Sequence, residues 1–247
     1  MSLPDNNFKN KEPAFQKVID HFRTQIRSGA LMEHAALPSE RALGDQFSIS
    51  RMTARRALLA LEMEGLAYSS ERRWRFVSPQ RLTYDISKTV SFSEHAEDDA
   101  LGLKIELVSK ELTQATPVIA AKLAVEEGRE LYKYTRLFRL KGHPAFVEEE
   151  FAIADLFPDM FSHNLEQSTT RLMEQEYNIQ SRSGDISIRM RALNEDESKL
   201  LGLPTYHAGI ELEQVIFDSN GRAFCYGRQI WRGELAEFTA HAVVRDR

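Results

Sequence analysis

Pro38-Ser39-Glu40-Arg41-Ala42-Leu43 opens one short helix, and Ser50-Arg51-Met52-Thr53-Ala54-Arg55-Arg56-Ala57-Leu58 opens another just beyond a turn at Ser48-Ile49. Ser39 and Ser50 are suited to N-capping, because a serine oxygen accepts from the free amides of a first helical turn. Glu40 suits the positive end of the first helix. Ala42, Leu43 and Phe47 form its expected apolar face. In the second helix Ala54, Ala57, Leu58, Leu61 and Met63 recur at helical spacing, and Gly65 is its expected stop. Two helices joined by a turn this short form a helix-turn-helix.

Upstream, Phe15, Val18, Ile19, Phe22 and Ile26 predict a helix over 14–28 that ends at Gly29. Downstream, Leu66-Ala67-Tyr68, a polar stretch Ser69 to Arg73, and Trp74-Arg75-Phe76-Val77 read as strand, tip and strand, hence a wing. Arg51 and Arg55, four apart, share a face with Met52 and loosely with Thr53. That geometry offers Arg51 and Arg55 to guanine edges or phosphates, and Thr53 to a phosphate or thymine methyl. Arg41 is placed for a phosphate or flanking base, and Arg72 and Arg73 for a narrow minor groove. An arginine-rich helix is also what a solvated face looks like. Arg56, between the two faces, leaves both readings open. What favours docking is the order: capped helix, tight turn, basic helix, basic tip.

The 247 residues are 42% apolar and 28% charged, a globular composition. No apolar run reaches the ~18 residues of a membrane helix, and Met1 to Pro13 lacks the apolar stretch of a signal peptide. A single cysteine, Cys225, excludes an intrachain disulfide and a multi-cysteine zinc site. The expected compartment is a reducing cytoplasm, with no membrane partner. The net charge of −5 divides unevenly: residues 1–80 carry +3 and residues 81–247 carry −8. A basic head on an acidic body suggests that only the head meets a polyanion.

The body reads as α+β. Strands are expected over 104–113, 131–140, 145–152, 179–192, 210–218, 223–231 and 238–244. Helices are expected over 117–125, 168–177 and 194–201, with turns at Lys141-Gly142-His143-Pro144 and Ser219-Asn220-Gly221-Arg222. This pattern implies a mostly antiparallel sheet flanked by helices.

The stretches Leu37 to Leu43, Ser50 to Leu58 and Leu61 to Leu66 resemble the winged helix of GntR-type bacterial repressors. The resemblance implies that Arg41, Arg51, Thr53 and Arg55 contact an operator. The wing departs from the family, since Ser70 to Arg75 has no glycine where a Gly-Arg-Gly-Thr-like tip is usual. The body resembles the UTRA ligand-binding domain of the HutC branch, with a chorismate-lyase-like fold. That likeness rests on Ser91-Phe92-Ser93-Glu94, Thr135-Arg136-Leu137, Gly142-His143-Pro144 with Glu148, Leu156-Phe157-Pro158, Leu165 to Ser168, and Tyr226 with Trp231-Arg232-Gly233-Glu234. By position Ser91 or Ser93, Arg136, Glu148 and Ser168 match pocket residues of sugar-phosphate-sensing relatives.

On physical grounds Arg136 offers a fork to an anion, and the helix opened by Ser168 offers its N-terminus. Glu148 is either an acceptor or a solvated member of Glu148-Glu149-Glu150, and Ser168 is either a ligand group or a simple cap. The family's second arginine is replaced by Phe138, and Arg139 points to the other face of its strand. Trp231 is either a stacking platform or core. The expected effector is a small anionic metabolite with an apolar or planar part.

The expected organisation is therefore a flexible 1–13, a winged helix-turn-helix over 14–78, a linker over 79–90, and a UTRA effector-binding and dimerisation domain over 91–247. No catalytic constellation, metal site or cofactor is expected. The expected function is a ligand-responsive repressor. As a homodimer it binds double-stranded operator DNA of pseudo-palindromic sequence, and its affinity changes on binding the metabolite. An enzyme with a basic appendage and a winged-helix protein-interaction module are the alternatives.

Overall fold

A computed structural model describes residues 14–70, 74–79, 81–92 and 102–242. The chain divides into two compact units, Met1–Gln80 and Arg81–Arg247.

In the first unit, α1 (Ala14–Arg27), α2 (Glu40–Phe47) and α3 (Arg51–Met63) precede β1 (Ala67–Ser70) and β2 (Trp74–Val77). Val18, Ile19 and Phe22 of α1 pack with Leu43 of α2 and with Ala54, Ala57, Leu58 and Leu61 of α3. The two small alanines let the helices approach closely. Ser39 accepts from the Ala42 amide at 3.2 Å and Ser50 from the Thr53 amide at 3.1 Å, so both caps form. The α2–α3 turn needs Ser48 in the left-handed region (φ 52°). Gly65 (φ 71°) ends α3 and sends the chain into the β1–β2 hairpin. Leu37 donates to the Arg75 carbonyl at 2.7 Å and Ala36 bridges Phe76, tying the hairpin to the helices. Two assignments to the apolar face are corrected. Ala42 is exposed, and Met63 is 89% exposed because, two residues on from buried Leu61, it lies about 200° around the helix on the opposite face.

The second unit is a six-stranded, wholly antiparallel sheet of order β4-β5-β6-β9-β8-β7. Its strands are β4 (Leu103–Gln114), β5 (Glu130–Leu140), β6 (His143–Ile153), β7 (Ser183–Ala192), β8 (Ala208–Phe217) and β9 (Ala223–Arg232). A separate parallel pair joins β3 (Leu82–Asp85) to β10 (Ala236–Thr239). Helices α4 (Pro117–Leu123), α5 (Thr169–Tyr177) and α6 (Glu195–Leu201) cover the sheet. Ala120 and Leu123 of α4, and Leu201 of α6, pack with one set of strand side chains, among them Phe151, Val147 and Ile230. The opposite set packs under α5 through Leu172 and Met173, and under β3 and β10 through Tyr84 and Ala236.

Several boundaries differ from expectation. The stretch read as linker, 79–90, contains β3, whose Leu82 and Tyr84 are buried in the core of the body. The last strand starts at Ala236 rather than Phe238, since it is set by pairing with β3. The β5–β6 turn is only Lys141-Gly142, both at positive φ (48° and 87°), so His143 and Pro144 already belong to β6.

Candidate functional site

In the first unit the sequence brings Arg41, Arg51 and Arg55 to one cleft. They line it with Ser39, Glu40 and Trp74, enclosing about 590 Å³. Arg51 is 78% exposed and pairs with Glu40, its Nε 3.3 Å from Glu40 Oε2. Arg55 is exposed and Thr53 half-buried. The Ser50 hydroxyl lies 2.8 Å from Thr53 Oγ1, so the cap also fixes the threonine. Arg56 is exposed, but its guanidinium sits 5.3 Å from the Phe15 ring centroid, on the α1 side. Arg75 is held by Glu62 at 2.9 Å and Glu40 at 3.8 Å, which braces β2 against the helices. Arg72 and Arg73 of the wing tip lie outside the described residues.

Trp74 had no expected role. It is 59% exposed at the base of the wing and lines the same cleft as the three arginines. The signal was its position at the start of β2, where strand alternation turns it away from the buried Val77.

In the second unit Arg136, Glu148 and Ser168 come together, and all three are buried. Arg136 of β5 lies opposite Glu148 of β6, which lies opposite Gln229 of β9. Arg136 Nε donates to Glu148 Oε2 at 2.9 Å. Nη1 donates to the Gln167 carbonyl at 2.7 Å and the Leu165 carbonyl at 3.2 Å. Nη2 donates to Glu148, to Glu150 Oε2 at 3.2 Å and to Thr169 Oγ1 at 3.2 Å. Tyr134 and Phe138 flank the guanidinium at 5.5 and 5.3 Å. Glu148 also accepts from Gln229 at 2.9 Å, and Gln229 accepts from Trp231 Nε1 at 2.9 Å. Glu149, one residue over, faces the other way, to Lys133 and Arg228.

One expectation is corrected here, and two alternatives that the sequence left open are decided. Arg136 does not present open donors, because carboxylates and carbonyls of the protein take them all. Glu148 is not a solvated acid. Trp231 is a core residue, fully buried and stacked on Phe146 at 3.9 Å with Phe92 and Tyr84 around it. Ser168 caps α5 by accepting from the Arg171 amide at 3.3 Å. Ser91 is buried beside Phe92, and its amide donates to Thr89 at 3.1 Å. Ser93 lies outside the described residues. Phe138, in place of a second arginine, stacks on Phe146 at 4.1 Å, while Arg139 pairs with Glu106 at 2.8 Å.

One guanidinium thus faces two buried carboxylates. Burial, reinforced by the neighbouring Glu150 carboxylate, pushes Glu148 up to about 7 against the pull of Arg136. Burial, with Glu150 close by, also pushes the Cys225 thiol well up, so it stays a neutral core group.

A helix-turn-helix with an exposed cationic recognition helix, joined to a sheet domain with a buried polar cluster, defines a two-domain DNA-binding regulator. Residues 15–77 match the bacterial regulatory proteins of the gntR family, and residues 100–237 match the UTRA domain. The chain belongs to the GntR family of transcriptional regulators, in the form that carries a UTRA domain.

The transcriptional repressor NagR of Bacillus subtilis is 26% identical over 232 residues, 94% of this chain and 96% of NagR. The repressor MngR of the mannosyl-D-glycerate transport/metabolism system of Escherichia coli is 26% identical over 228 residues, 92% and 95% of the two chains. PhnF from Mycobacterium smegmatis shares the fold, with a TM-score of 0.65 at 21% identity, over 92% of this chain and all of PhnF. The protein is a transcriptional regulator and not an enzyme. No helix among the described residues is long and apolar enough to cross a membrane.

Proposed function

We propose that the chain represses transcription by binding a pseudo-palindromic operator as a homodimer, and that a small metabolite changes that affinity. One observation carries the DNA reading: Arg51 and Arg55 project into solvent from the capped N-terminal turns of α3, in one cleft with Arg41. In a major groove that placement offers bidentate donors to guanine. Ser39, Ser50 and Thr53 add the helix N-termini and a hydroxyl for phosphates. Arg56 is placed for a flanking phosphate, and the basic sequence of the wing tip assigns Arg72 and Arg73 to the adjacent minor groove. Two-fold symmetry is the commonest closed assembly, and it matches two half-sites. A gel shift on duplex from upstream of its own gene tests the reading, with binding that weakens steeply as salt rises. Binding that is insensitive to salt would overturn it.

Trp74 joins this interface, packing its ring against the sugar-phosphate backbone. The chain has two tryptophans, and Trp231 is fully buried. Adding operator duplex is therefore expected to change the tryptophan emission through Trp74 alone. Trp74→Phe removes the change and weakens binding by less than about tenfold, or ~1.4 kcal/mol. An unchanged emission on saturation with duplex excludes the contact.

For the effector, the buried cluster of Arg136, Glu148 and Ser168 is our proposed site, to which the family resemblance adds Ser91 and Ser93. An anionic metabolite reaches Arg136 only by displacing a carboxylate. Glu148, pushed up to about 7, is the group that leaves most readily, as the neutral acid. Binding then takes up a proton, so affinity is highest below pH 7 and falls as pH rises through 7 to 8. Glu148→Gln is expected to flatten that dependence. A thermal-shift screen of carboxylate and phosphate metabolites, followed by calorimetry at several pH values, measures it. Anion binding by the wild type that ignores pH contradicts the displacement. A coupling of about 1–3 kcal/mol between the sites would shift operator affinity roughly 5–150-fold.

A further inference from the structure

Across the middle of the sheet, Glu150, Gly227 and Gln214 stand in one row, each directly opposite the next on β6, β9 and β8. The neighbouring row on the same face holds Arg136, Glu148 and Gln229. The two glutamines differ. Gln229 is used at both ends, donating to Glu148 and accepting from Trp231. Gln214 is 1% exposed, yet its Oε1 has no hydrogen-bond partner among the described residues. A buried acceptor without a donor is costly and rare. Glu150 is close to the same state at one oxygen. Its Oε2 accepts from Arg136 at 3.2 Å and Thr169 at 3.0 Å, whereas Oε1 faces the Cys225 thiol, a weak donor, at 3.9 Å.

Between these two acceptors lies Gly227. It is buried in the middle of β9, and its φ is not positive, so the backbone does not demand glycine there. A Cβ at this position would lie 3.3 Å from Gln214 Nε2, 3.4 Å from Gln214 Cγ and 3.6 Å from Glu150 Cγ. The space that glycine leaves is therefore flanked by the two polar side chains, and a glycine inside a strand often marks the close approach of a ligand. Charge decides what fits. Once an anionic effector replaces Glu148, which leaves as the neutral acid, Arg136 faces that anion and Glu150 together. The core then holds one negative charge too many. A cation beside Glu150 restores the balance, and a neutral hydroxyl does not.

We propose that the effector carries a primary ammonium about 7–8 Å from its anionic group, held over Gly227 between Glu150 and Gln214. That separation is the one between diagonal neighbours on adjacent strands, here Glu148, whose place the anion takes, and Gly227. The ligand class is thus a short ω-amino acid or an aminoalkyl phosphate. Its ammonium supplies donors to both waiting acceptors, and its two charges match Arg136 and Glu150 one to one. The inference rests on the effector site proposed above, and the experiment separates the two.

Calorimetry on the full chain, buffered below pH 7, compares γ-aminobutyrate, δ-aminovalerate and aminopropyl phosphate, each with its analogue lacking the amine. The amino compound of the best-bound pair is expected to bind about 10–100-fold more tightly, the size of a hydrogen bond to a charged group. Gly227→Ala puts a methyl group between the two acceptors, and Gln214→Leu removes one of them. Each should bring that ratio toward one. Thermal melting without effector tells a ligand group from a structural one, since removing an unbonded acceptor should leave the melting temperature of Gln214→Leu unchanged or raised. A lowered melting temperature, or a preference for the amine that both variants keep, overturns the inference. Equal binding of amino and plain compounds by the wild type also overturns it and leaves the anion site at Arg136 standing. Binding of neither set overturns both.

Discussion

Replacing Arg136 by alanine is expected to cost the effector domain about 3–5 kcal/mol, because removing one partner of a buried ion pair leaves the other charge unpaired. Here it strands two carboxylates, Glu148 and Glu150, both within the core. Whole-domain stabilities run about 5–15 kcal/mol, so most of the margin goes. Urea unfolding measures it. The loss should shrink as pH falls, since Glu148, already pushed up to about 7 by burial, needs no guanidinium once neutral. Arg136→Lys keeps the charge but not the fork that reaches Gln167, Leu165 and Thr169 as well, and should fall between. A loss under about 1 kcal/mol, the size of an exposed pair, would mean that the cluster is not the buried keystone described above. The winged helix packs its own core around α3, so its fold should survive the change.

The second large effect is on DNA. Each bidentate arginine–guanine contact discriminates by about 1–3 kcal/mol. Arg51→Ala with Arg55→Ala is therefore expected to remove operator preference and leave only weak, sequence-blind binding. Stability should hardly change, because both side chains are exposed and the ion pair of Arg51 with Glu40 is a surface pair. Competition gel shifts with operator and scrambled duplex separate the two kinds of binding. Retained preference in the double variant would place recognition elsewhere in the head.

Much of the head was legible from its residues. Ser39 and Ser50 announce the helix starts, and Ala54, Ala57, Leu58 and Leu61 mark the buried face of α3. Met63 misled, because an apolar residue two positions after Leu61 falls on the opposite side of the helix, not on the buried face. Strand β3 was hidden for a different reason. Leu82-Thr83-Tyr84-Asp85 alternates over only four residues, and its partner β10 lies at the other end of the body.

The cluster was half legible. Arg136, Glu148 and Ser168 are identifiable as special, but their mutual contact depends on register. A four-residue turn over 141–144 would set Glu149 opposite Arg136. The actual two-residue turn and the irregularity after Phe138 set Glu148 there instead. One residue of slip exchanges the faces of a strand, and so decides whether Arg136 meets a buried acid or a solvated one. Trp231 illustrates the same limit, since tryptophan chemistry fits a ligand platform or a core equally until its neighbours Phe146, Phe92 and Tyr84 are known.

Whether α3 reads a duplex through Arg51 and Arg55 is decided by selection from a pool of random duplexes, run in parallel with the wild type and the Arg51→Ala, Arg55→Ala variant. The wild type should enrich one sequence with two-fold symmetry, and the variant should enrich none. Enrichment of the same sequence by both proteins, or of nothing by the wild type, would contradict it.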